Sequence, residues 1–212
     1  MGAALRARLA VGAALCTLAA WAGTAFAHPA PAGHAVVCGT AGARTLAGDA
    51  EARVYVAGHT VFGCARHRAS QALGSTGPCP GRPEVGTVAL AGTEAAFTLR
   101  TCGVDTFSVQ VVVRSLQTGR RAGTWGAVSG VIQVEAIQSV GSIVVRSDGD
   151  AAWIGSSSSL GNHQTATQVI AEIRGRESVL DSGRSITAGS LRLTGSSLSW
   201  TDAGVRRTAK LV

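Results

Sequence analysis

The stretch from Val54 reads VYVAGHTVFGC, and its pattern returns three times: VALAGTEAAFTL from Val88, IVVRSDGDAAWIG from Ile143 and LRLTGSSLSWT from Leu191. Each is a β-rich run, a tight turn and a second run that carries an aromatic. The turns Gly58-His59, Gly92-Thr93, Asp148-Gly149 and Gly195-Ser196 have the residues that two-residue hairpin loops require. The aromatics are Phe62, Phe97, Trp153 and Trp200. A second unit follows some of these hairpins, as SVQVVVRSLQTGRR from Ser108 and TQVIAEIRGRESVLDSG from Thr167. It reads as a long strand, a polar turn and a short strand.

Outside these units nothing keeps apolar residues at helical spacing for three turns. Short runs of Val, Ile, Thr and aromatics recur, split by Gly, Ser and Asp, which is strand patterning. Pro29, Pro31, Pro78, Pro80 and Pro83 sit in an N-terminal stretch and one loop, in keeping with their exclusion from sheet interiors. The chain is therefore expected to be all-β. Four hairpin units give a spacing of about 46 residues, the size of a repeat built as one four-stranded blade.

The order strand, turn, aromatic strand, loop, strand, turn, short strand resembles β-propeller blades. It is most similar to the loose repeats of bacterial exported propellers, with the third-strand pattern carried here by residues 110–120, and the likeness covers residues 43–212. The chain also resembles uncharacterised secreted bacterial proteins with segments like ARVY…VFGC and SLRLTGSSLSW. These likenesses imply a small propeller-like array of about four blades and no activity; the alternative is a β-sandwich with coincidental hairpins. In a ring, residues 44–47 would complete the last repeat by lying beside the C-terminal strand at 205–211. Closing the ring would also remove exposed sheet edges.

The N-terminus reads as an export signal. Arg6 and Arg8 precede an apolar run and a small-residue stretch ending Ala25-Phe26-Ala27. The expected divisions are a signal peptide at 1–27, a mobile Pro/Ala tail at 28–36 and a β-repeat domain at 37–212. The apolar run is shorter than the roughly 20 residues a membrane span needs, and no second such run follows, so no transmembrane segment is expected after cleavage. Cleavage removes two arginines and no acid, taking the formal charge from +7 to +5. The arginines are scattered and do not alternate with aromatics, so nucleic-acid binding is not expected.

Four cysteines remain beyond the leader: Cys38, Cys64, Cys79 and Cys102. An even number in an exported chain reads as two disulfides rather than zinc, which would want close C-x-x-C pairs. Nearness along a hairpin-rich chain favours Cys38 with Cys64 and Cys79 with Cys102, among three possible pairings.

Candidate chemistry is sparse. His28 at a new N-terminus, with His34 and a core histidine such as His59, His67 or His163, could chelate copper, but Pro29 follows at once and one histidine pair makes no site. His59 near Cys64 is faintly like the histidine segment of chymotrypsin-like proteases, yet no G-D-S-G-G or G-x-S-x-G nucleophile accompanies it. Residues 156–159 read as a serine-rich loop. Asp148-Gly149-Asp150 has too few carboxylates for calcium and suits a hairpin turn. A carboxylate pair for glycoside hydrolysis needs only nearness in space, which sequence does not give. Trp153 and Trp200 hold repeat-equivalent positions and read as core. Trp125 has no repeat equivalent and follows Arg120 and Arg121, making these three residues the candidate ligand-binding face.

The sequence thus points to an exported, non-catalytic binding module of the cell envelope or medium. An anionic envelope polymer, a glycan or a protein would be its partner, and no cofactor is expected. The alternative is an exported hydrolase or metal-dependent enzyme with an unrecognised site.

Overall fold

A computed structural model describes residues 38, 42–77, 81–103, 107–130, 136–159 and 165–212. Among the described residues there are fifteen strands and no helix, so none is long and apolar enough to cross a membrane. Strands β1 (Arg44–Gly48), β2 (Ala52–Ala57), β3 (Thr60–Ala65), β4 (Gln71–Ser75), β5 (Glu84–Ala91), β6 (Glu94–Cys102), β7 (Phe107–Ser115) and β8 (Arg121–Gly126) form one eight-stranded sheet in sequence order. Strands β9 (Ala136–Val145), β10 (Ala151–Ser159), β11 (Thr165–Ile173) and β12 (Arg176–Gly183) form a second sheet. Strands β13 (Arg192–Thr194), β14 (Ser197–Asp202) and β15 (Val205–Lys210) form a third.

The eight-stranded sheet is continuous in name only. Between β4 and β5 it is held by a single parallel bridge, Ser75 to Glu84, whereas every other neighbouring pair is an antiparallel ladder. At that bridge the sheet folds over, and β1–β4 pack against β5–β8 through Val54, Val61, Leu73, Phe97 and Val112. The second face of β5–β8, carrying Ala96, Val111 and Val113, packs against Ile143, Val145, Trp153 and Ile170 of the next sheet. That sheet turns Ile154, Val169 and Ala171 toward Leu198 and Trp200. The result is four face-packed layers: β1–β4, β5–β8, β9–β12 and β13–β15.

Layers two and three are buried on both faces. This explains why AAFTL, VQVVV, AAWI and QVIA are nearly continuous apolar runs, while β15 (VRRTAK), on an outer layer, is mostly exposed. The four repeated hairpins are β2–β3, β5–β6, β9–β10 and β13–β14. In three of them the first turn residue, Gly58, Gly92 or Gly195, has φ near +60° and the second a negative φ, the sign pattern of a type II′ turn. The aromatics of the later three repeats are buried, and each points toward the preceding layer: Phe97 to the first, Trp153 to the second, Trp200 to the third. The indole N–H groups are satisfied, Trp153 by the carbonyl of Ala127 at 3.0 Å and Trp200 by Asp181 at 2.7 Å.

Phe62 has no layer before it. It stacks on Tyr55 at 5.6 Å on the far face of layer one, where the chain before β1 provides cover. Arg53 holds that chain by donating to the carbonyls of Cys38 and Ala43 and to Thr45, while its guanidinium lies 5.3 Å from the Tyr55 ring. The Cys38–Cys64 disulfide fixes the same segment to β3, as its spacing suggested. Cys102 is also disulfide-bonded; Cys79, its expected partner, lies outside the described residues, as do the expected signal peptide and tail, with His28, His34 and His163.

Ring closure through residues 44–47 is not what the chain does. Arg44–Gly48 pairs antiparallel with Ala52–Ala57, from Arg44 opposite Val56 to Gly48 opposite Arg53, and β15 pairs with β14. The reason is local. Only residues 49–51 separate β1 from β2, and the Asp49 carboxylate accepts the N–H groups of Glu51 and Ala52, closing the turn. A connection this short commits β1 to its own successor. Among the described residues no hydrophobic cluster joins the first layer to the fourth.

Close approach of layers two and three rests on Gly155. A Cβ there would lie 1.7 Å from the Ala127 carbonyl oxygen, the same oxygen that accepts the Trp153 N–H. Gly155→Ala is expected to cost about 3 kcal/mol or more, read as a fall in the urea midpoint. Gly189→Ala, with open space around the added methyl, should stay within about 0.5 kcal/mol of wild type.

Candidate functional site

At one end of layers two and three the turns line up around a cleft of about 350 Å³. The hairpin geometry places them there. Glu94 begins β6 after its turn, Thr118 and Arg120 lie in the β7–β8 turn, Asp148 to Asp150 form the β9–β10 turn, and Glu172 with Arg174 closes β11. Glu94 and Asp150 are repeat equivalents, each three residues before its aromatic, in EAAF and DAAW. A neighbouring hollow of about 440 Å³ shares Asp148, Asp150 and Arg174 and adds Arg146 and Val212.

The carboxylates are held by backbone N–H groups of the turns. Asp148 forms an ion pair with Arg146 at 2.9 Å and accepts the N–H of Asp150 at 3.2 Å. Arg146 also donates to the carbonyl of Leu211, tying this turn to the C-terminus. Asp150, 7% exposed, accepts the N–H of Arg174 at 2.9 Å. Glu172, 3% exposed, accepts the N–H of Gly175. Burial raises the Glu172 pKa above the usual glutamate value, the Gly175 N–H opposes this, and the negative charges of Asp150 and Asp148 add to the rise.

Of the three residues expected to form a ligand face, the structure brings only Arg120 to this cleft. Arg121 lies beside Arg114, whose pKa is lowered by burial and by the Arg121 charge. Trp125 is half-buried rather than exposed. Its ring centroid is 6.3 Å from that of Trp153, and its indole lies over Gly123, so it belongs to the packing of layers two and three. The β7–β8 ladder explains the separation: Trp125 opposes Val111, and a bulge between Val113 and Arg114 turns Arg121 out of that row.

Sequence reading passed over Glu172, Arg174 and Glu94. A signal did exist for the last, in the recurrence of an acid three residues before the aromatic. The approach of Glu172 to Asp150 is set by the β10–β11 register, in which Glu172 opposes Ala151, the residue after Asp150. His59 is exposed at its hairpin tip, as expected, and His67 is exposed in the left-handed region at φ 60°. Residues 156–159 are not a loop: they continue β10 and pair with β9, and 156–158 pair with β11 as well. Among the described residues no group of three or more His, Cys, Asp or Glu is arranged to hold a metal ion. Comparison of the chain with protein-family models, with curated proteins and with solved structures returns no match.

The raised Glu172 pKa makes a signed prediction. The folded state binds this proton more tightly than the unfolded chain, so ionisation of Glu172 lowers stability as pH rises above the ordinary glutamate range. Glu172→Gln keeps an acceptor for Gly175 and removes the charge. It is expected to be more stable than wild type at pH 7, with the advantage shrinking on acidification and absent below the ordinary glutamate pKa. Urea midpoints measured against pH would show this; an advantage unchanged at low pH would contradict it.

Proposed function

We propose that this protein is an exported, non-catalytic binding module of the cell envelope or medium, built as a propeller-like array of four blade-like layers. The leader-like first 27 residues and the Cys38–Cys64 disulfide support export. The repeated hairpin unit and face-to-face layering support the blade-like description. The observation that carries the binding role is the commitment of the cleft carboxylates. Asp148 and Glu172 each accept a backbone N–H from their own turn and Asp150 accepts one from the β11–β12 turn, so the acids shape the cleft. Arg120 and Arg174 are exposed at its wall and supply cations for an anionic partner such as an envelope polymer.

A second reading, an exported hydrolase, has one observation in its favour. Glu172 is a buried acid with a raised pKa close to other carboxylates in a cleft, the environment of a general acid.

The two readings separate in one set of measurements. Under the binding reading, chain 28–212 is retained on purified anionic envelope polymer. The double variant Arg120→Ala/Arg174→Ala is retained roughly tenfold more weakly, and added salt weakens wild type. Retention of the variant equal to wild type would remove the cleft from the proposal. Turnover of glycan, ester or peptide by wild type, lost in Glu172→Gln, would replace the binding reading with the hydrolase.

A further inference from the structure

At the opposite end of layers two and three lies a groove of about 380 Å³. Its walls come from the start of β5, the end of β6, the start of β7 and the first half of β9, including Thr98, Arg100, Phe107, Val109, Gln138 and Val140. The strip of apolar residues between the two layers ends here. Along β9 the residues facing layer two are Val145, Ile143, Val140 and then Gln138, the parity changing at the Gly141 irregularity. Gln138 therefore occupies a position that the pattern reserves for an apolar residue.

Gln138 is only 4% exposed, and neither its amide oxygen nor its amide nitrogen has a hydrogen-bond partner. A buried primary amide without partners is unfavourable, because it loses water and gains nothing in return. A leucine would fill the same space without that penalty. Resting on the binding-module reading, we propose that this groove is a peptide-binding site in which Gln138 pairs with the backbone of an extended, uncharged segment bearing a branched apolar side chain.

Three features select this ligand. In an extended segment the N–H and C=O of one residue point to the same side, so together they match the donor and acceptor of one primary amide. Rotation about the flexible Gln138 torsions presents that amide to the groove. Next, β9 is an edge strand, paired among the described residues with β10 alone, so the groove is bordered by a strand edge that suits an added strand. Val109 and Val140 offer apolar wall for a side chain. Finally, the Phe107 ring is covered by the Arg100 guanidinium at 4.3 Å, which occupies a face that a sugar would stack on. Glu84 lies 4.0 Å from Arg100, so the mouth carries both signs of charge and does not demand a charged ligand.

The test is a titration of ¹⁵N-labelled chain 28–212 with N-acetyl-Val-Ala-N-methylamide. Saturable shifts are expected in the Gln138 side-chain NH₂ signals and in the Thr98 and Val109 amides. The ester analogue, lacking one N–H, should bind at least about tenfold more weakly, and so should the peptide to Gln138→Leu. Gln138→Leu should also raise the urea midpoint of the free protein, which shows that the variant is folded. A structural role for Gln138 predicts the reverse, a lower midpoint. Peptide shifts that do not involve Gln138, equal binding by Gln138→Leu, or shifts produced by N-acetylglucosamine and not by the peptide would each overturn the inference. Retention on envelope polymer reports separately on the binding-module reading, because Gln138 lies at the other end of the layers from Arg120.

Discussion

The structure depends on how closely its second and third layers approach. Their contact is made by a large indole, Trp153, set among small residues: Ala96, Ala151 and Gly155. One carbonyl, that of Ala127, satisfies the indole N–H and occupies the space where a side chain at position 155 would stand. Packing and hydrogen bonding are thereby satisfied by the same close approach. Layers two and three can each bury two faces because their strands alternate between apolar residues on both sides. The outer layers cannot, and they end the stack with arginine-rich strands or with a covering segment held by Arg53 and the disulfide.

That constraint also places the two hollows. The packed cluster lies between the two hollows, one at each end of the layers. At one end lie turns whose carboxylates bind backbone N–H groups. At the other the apolar strip stops at a glutamine. The two ends differ in chemistry because turn residues need polar side chains near backbone N–H groups, whereas Gln138 sits within a strand, on its buried side.

The repeat was legible because hairpins are local objects. Turn residues, strand alternation and the recurring aromatic all lie within a dozen residues of one another, and the four hairpins stand where those signals put them. Even the pairing of Cys38 with Cys64 follows from nearness along the chain. The partner of β1 was misjudged from its likeness to the strand closing another repeat. The three-residue connection closed by Asp49 sets the antiparallel pairing of β1 with β2, and among the described residues β15 pairs with β14 instead.

The sequence by itself determined the strand content and the hairpins, and it favoured the buried roles of Trp153 and Trp200 and, among three possible pairings, the Cys38–Cys64 link. Each rests on residue type and short spacing. Only the tertiary structure decided which side of each strand meets which layer, and with it the fates of Trp125, Arg120 and Arg121. They are neighbours in sequence, but Trp125, opposite Val111, enters the packing beside Trp153, a bulge at Val113/Arg114 turns Arg121 out of that row, and Arg120 lies at the cleft. The same holds for Glu172 and Gln138. A glutamate near the end of a strand and a glutamine near the start of one look ordinary in a sequence. Their burial is set by the layer opposite, contributed by residues dozens of positions away.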